Sequence, residues 1–119
     1  MSLDVTLIRT VGNRCPCCGR GQETETVFDA NITHNLNRMA SEAGLYEAVW
    51  RPDEHGYTHA HQIIPVLERG IAEMEADPER FKAFDSPNGW GLYIHLLPWL
   101  QRYLTACREY PDALIEVCR

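Results

Sequence analysis

The chain is expected to fold as α+β: a small antiparallel sheet, built from an N-terminal hairpin and a C-terminal strand, packed with about three main helices. Three observations predict this. Apolar and polar residues alternate at both ends of the chain, where Leu3, Val5 and Leu7 oppose Asp4, Thr6 and Ile8, and Ile115 and Val117 oppose Leu114 and Glu116. The middle instead carries apolar stripes at helical spacing. Finally, 119 residues without an internal repeat or a low-complexity linker suit one domain with one core. Its parts are a hairpin over 1–30, a helical part over 31–112 and a final strand over 113–119.

In order, Leu3 to Val11 is the first strand, ended by Gly12-Asn13. Cys15-Pro16-Cys17-Cys18-Gly19 forms a tight turn, and Thr24 to Phe28, rich in Thr, Val and Phe, returns as the second strand. Asn31 to Gly44 reads as one amphipathic helix. Ile32, Leu36, Met39, Ala40 and Ala43 make its apolar stripe, Asn31, His34, Asn35 and Arg38 line an adjacent face, and Gly44 is a left-handed C-terminal cap. Leu45 to Trp50 fits a short helix or an extended segment, and Arg51 to Gly56 is a loop. Thr58 caps the next helix, whose buried face is Ala60, Ile63, Ile64, Leu67, Ile71 and Met74, with Pro65 bending it. Asp77-Pro78 restarts a helical turn anchored by Phe81 and Phe84. After the Ser86–Gly91 loop, a last helix runs from about Trp90 to Arg108. Its expected buried side is Trp90, Tyr93, Ile94, Leu97, Leu100 and Leu104, with a kink at Pro98. Ala113 to Cys118 then returns to the hairpin as the last strand.

Composition excludes several functions. A formal net charge of −6 argues against a sequence-independent grip on nucleic acid. No stretch is long and apolar enough to cross a membrane, and Asp4 and Arg9 interrupt the apolar run where a signal peptide would begin. Five cysteines, three of them in Cys15-Pro16-Cys17-Cys18, do not resemble a secreted disulfide framework, so a reducing cytoplasm is expected. There is no Gly-rich phosphate loop, no G-x-S-x-G elbow and no H-E-x-x-H, so no catalytic residue is assigned.

Short amides, an imidazole and guanidinium groups are recognition chemistry. Asn31, His34, Asn35 and Arg38 are therefore expected to form one wall of a polar pocket, with Trp50, Arg51, Asn88 and Trp90 around it. Arg and Trp together suit a flat, anionic, nucleotide-like ligand. The cysteine turn has the C-P-x-C-G form of a zinc knuckle. Zinc is thus a candidate cofactor, with Cys15 and Cys18 as ligands and His34 as a third if its helix packs on the turn; the alternative is a tight turn with free thiols. His55, His59 and His61 read as a solvated helix start.

The run Asn31 to Leu36, with Met39-Ala40, Ala43-Gly44-Leu45-Tyr46, Trp50-Arg51-Pro52 and Asn88-Gly89-Trp90-Gly91, resembles a family of small proteins of tailed bacteriophages and prophages. The resemblance implies a bacterial host cytoplasm and a small accessory protein, one that sequesters a host signal molecule or otherwise acts on the host. It implies no activity and no catalytic residue. The expected function is a non-enzymatic binding module. The alternatives are an adaptor for a host or phage protein, anchored by Trp90 or Trp50, and a small hydrolase using His34 as general base. A homo-oligomer is compatible with each.

Overall fold

A computed structural model describes residues 2–11 and 23–119. Strand β1 (Ser2–Val11) pairs antiparallel with β2 (Glu23–Thr33) on one side and with β3 (Leu114–Cys118) on the other, giving the order β2-β1-β3. Residues directly opposite each other share a face of the sheet. Leu3, Val5 and Leu7 thus stand beside Ile32, Ala30 and Phe28, and Val5 and Leu7 also beside Val117 and Ile115. This apolar face lies against the helices, and Leu3, Val5 and Leu7 are fully buried. The sheet is the expected one, in an α+β fold. A register shift between Leu7 and Ile8 leaves Val27 as the extra residue of β2.

Strand β2 runs further than its composition suggests. Leu3 pairs with Ile32 and Ser2 with Thr33, so Asn31 to Thr33 belong to the hairpin and not to a helix. The expected single helix over Asn31–Gly44 is corrected to the end of β2, a 3-10 turn (His34–Leu36) and a short helix α1 (Asn37–Glu42). A full-length β1 supplies backbone partners that a helix start at Asn31 would forgo. Thr33 Oγ1 accepts from the Asn35 N–H and caps the turn. At the far end of α1 the expected glycine cap is present. Gly44 has φ +74°, its N–H bonds Ser41 O and that of Leu45 bonds Ala40 O, a Schellman pair.

Leu45 to Trp50 resolves as helix, α2 (Tyr46–Trp50), followed by a 3-10 turn (Pro52–His55). Helix α3 (Ala60–Ala76) buries Ala60, Ile63, Leu67, Ile71 and Met74. Its cap is His59 rather than Thr58, with Gln62 Oε1 accepting from both Thr58 and His59 N–H. In α4 (Pro78–Lys82) Phe81 is buried while Phe84, just beyond, is exposed. Helix α5 (Tyr93–Glu109) packs on α3. Of the expected face, Tyr93, Leu100 and Leu104 are buried, joined by Leu96, Trp99, Tyr103 and Cys107, while Trp90 and Ile94 are corrected to face out. The physical reason is the start of the helix. Asp85 Oδ1 accepts from the Tyr93 N–H, so Trp90 stays in the preceding loop. Pro65 and Pro98 both lie on exposed sides of continuous helices.

One core residue carries an unmet polar group. Tyr103 stacks on Phe28 and meets Trp99 edge-on, but its buried hydroxyl has no partner among the described residues. Desolvating a hydroxyl without a bond costs about 1–3 kcal/mol. Tyr103→Phe keeps both ring contacts and should raise stability by about 1 kcal/mol in urea denaturation. A loss of that size would mean that the hydroxyl is satisfied.

Candidate functional site

At the end of the sheet where β1 begins and β2 ends, an open cleft of about 800 Å³ is lined by Ser2, Asn31, Thr33, His34, Asn35, Asn88 and Trp90. Local rules place each group. Asn31 and Thr33 alternate with buried Ile32 along β2, so they turn away from the core. Ser2 lies across the ladder from Thr33. The 3-10 turn carries His34 and Asn35 outward while Leu36 anchors it inside. Asn88 and Trp90 come from the loop before α5. Gly89 (φ +77°) and Gly91 (φ +121°) hold its bends, and a Cβ on Gly91 would stand 2.9 Å from Asn35 Cβ. Only glycine allows the loop to close onto the turn here.

Hydrogen bonds fix these groups. Asn31 Nδ2 donates to Ser2 Oγ (2.8 Å) and Asp4 Oδ1 (2.6 Å). Asn35 Nδ2 donates to Trp90 O (2.7 Å), and Asn88 Oδ1 accepts from the Trp90 N–H (2.9 Å) and Ser86 Oγ (2.6 Å). Trp50 Nε1 donates to His34 Nδ1 (3.0 Å). The Nδ1 lone pair is therefore engaged, and the neutral ring carries its proton on Nε2. In this arrangement His34 is a donor, with no free ring nitrogen to act as general base.

Of the expected pocket residues, the cleft brings together Asn31, His34, Asn35, Asn88 and Trp90 but not Arg38, Trp50 or Arg51. Arg38 is exposed on α1, because the strand-to-turn junction breaks the helical spacing that would have aligned it with Asn31. Trp50 is a core residue, 2% exposed, that supports His34 from behind. Arg51 donates to the Tyr46 hydroxyl (3.0 Å) and pairs with Glu54, and both partners hold its guanidinium more firmly protonated. Arg119 donates to Trp50 O and to both oxygens of Asp53, tying the chain end beneath Trp50. Ser2 and Thr33 were missed by sequence reasoning. Extending the alternation of β2 past Phe28 would have found Thr33, and the pairing with β1 adds Ser2.

Cys15 and Cys18 lie outside the described residues. The zinc site expected from Cys15, Cys18 and His34 thus falls partly outside them, and His34 itself lines the cleft. Among the described residues, no group of His, Cys, Asp and Glu is clustered to hold a metal. Cys107 is buried, which pushes its thiol up to about 12.

A larger groove of about 930 Å³ runs between β2 and α5, past Phe28, Ile94, Pro98 and Trp99, and shares Asn31 and Thr33 with the cleft. Its lining is mostly apolar, with His95, Gln101, Arg102 and Glu109 along it, and the hydrogen-bonded amides and imidazole lie in the smaller cleft. No helix among the described residues is long and apolar enough to cross a membrane. No protein-family model, curated protein or solved structure matches the chain.

Proposed function

We propose that the protein is a non-enzymatic binding module that takes a small polar, nucleotide-like ligand in the cleft at the open end of the hairpin. The observation that carries this reading is the convergence of Asn31, His34, Asn35, Asn88 and the 71% exposed ring of Trp90 on one concave surface. The amides and imidazole are held in place beforehand, which lowers the ordering cost of binding. An exposed indole beside them is a stacking platform. The resemblance to small phage proteins supplies the setting, an accessory protein in a bacterial cytoplasm that sequesters a host signal molecule.

A thermal-shift screen of nucleotides tests this. At least one should raise the melting temperature, because a ligand that binds only the folded state stabilises it. Trp90→Ala should weaken that ligand about tenfold, the scale of one lost stacking contact. If no nucleotide shifts the wild type, the reading falls. The exposure of Trp90 (71%) and Ile94 (62%) favours a second reading, an adaptor whose partner protein buries both. A protein partner lost in both Trp90→Ala and Ile94→Ala, with no small-molecule response, would replace the first reading by the second.

A further inference from the structure

We infer that the cleft reads the uncharged edge of a planar heterocycle, the chemistry of a nucleobase, rather than a phosphate. This rests on the binding-module reading above and names what the module recognises. The inference comes from the orientation of the side chains, each set by a partner that can play only one role. A carboxylate only accepts, so the Asn31 amide nitrogen must face Asp4, leaving its Oδ1. A backbone carbonyl only accepts, so the Asn35 nitrogen must face Trp90 O, leaving Oδ1 and the second N–H. A backbone N–H only donates, so Asn88 Oδ1 must face Trp90 N, leaving the NH₂. An indole N–H only donates, so His34 Nδ1 must face Trp50, leaving Nε2–H. None of these amides or the ring can flip without breaking its bond.

The groups left over are acceptors on Asn31 and Asn35 and donors on His34, Asn88, the second Asn35 amide hydrogen and the Ser2 and Thr33 hydroxyls, and no Lys or Arg is among the described lining residues. The charged group bonded to a lining residue is the Asp4 carboxylate, which repels an anion. An ionised phosphate is an anion that offers mainly acceptors, and the two amide oxygens would find few donors on it. A nucleobase edge offers donors and acceptors together, and its ring covers the exposed face of Trp90.

The test compares uridine, cytidine, adenosine and guanosine with their 5′-monophosphates and with inorganic phosphate, by calorimetry on wild type and Asn88→Asp. At least one nucleoside should bind with an affinity close to that of its monophosphate, and that affinity should change little between about 50 and 200 mM salt. Inorganic phosphate should not bind. Asn88→Asp keeps an oxygen for the Trp90 N–H and Ser86 but exchanges the free donor for an acceptor, and should weaken the nucleoside about tenfold or more. Binding of a monophosphate but not its nucleoside, or unaltered binding in Asn88→Asp, overturns the assignment and leaves the binding module standing. No binding by any compound overturns both.

Discussion

Replacing Trp99 by alanine is expected to cost about 3–5 kcal/mol of stability, while the same change at Trp90 should cost less than about 0.5 kcal/mol. Trp99 is 4% exposed, packs edge-on against Tyr103 and donates from Nε1 to Asn31 O (3.1 Å). Its removal leaves a large cavity where α5 meets the edge of β2 and strips a bond from the strand that carries the cleft. The bonds of Trp90 run through its backbone N–H and carbonyl, which alanine keeps. Urea denaturation of both variants is the measurement. Equal costs would return Trp90 to the buried face that helical spacing suggests. In the expected case, Trp99→Ala also weakens cleft binding through Asn31, whereas Trp90→Ala weakens binding with the fold intact.

Gly70→Ala should destabilise the protein by up to about 2 kcal/mol, although alanine in an exposed helix position is favoured over glycine by about 1 kcal/mol. Gly70 lies inside α3, and a Cβ there would clash with Cγ and Cδ2 of Leu45. Leu45 is itself fully buried, so it has nowhere free to move. Overpacking of this kind costs about 1–3 kcal/mol and outweighs the propensity gain. A double-mutant cycle with Leu45→Ala isolates the cause. Leu45→Ala alone should be costly, and Gly70→Ala added to it should turn neutral or stabilising, because the coupling lies in that one contact. A gain in stability from Gly70→Ala alone would mean that α3 and Leu45 are not so closely packed.

The alternation of Leu3, Val5 and Leu7, and that of Ile115 and Val117, was enough to place two strands, because a side-chain period of two is a local property of the chain. The buried face of α3 and the Gly44 cap were legible for the same reason. The choice between strand and helix at Asn31-Ile32-Thr33 was not local. It turned on Leu3 and Ser2, some thirty positions away, offering ladder partners to Ile32 and Thr33. That choice then decided the site: Asn31 and His34 stayed, with Ser2 added from across the ladder, and Arg38 was lost because a strand and a turn do not continue helical spacing. The exposure of Trp90 followed from Asp85 setting the start of α5. What the sequence by itself determined is the α+β class and most of the amides, imidazole and indole of the cleft, because patterning and residue chemistry are written position by position. Only the tertiary structure decided which donors and acceptors those groups present. Each is oriented by a partner brought to it by the fold, such as Trp50 behind His34 and Trp90 O on Asn35.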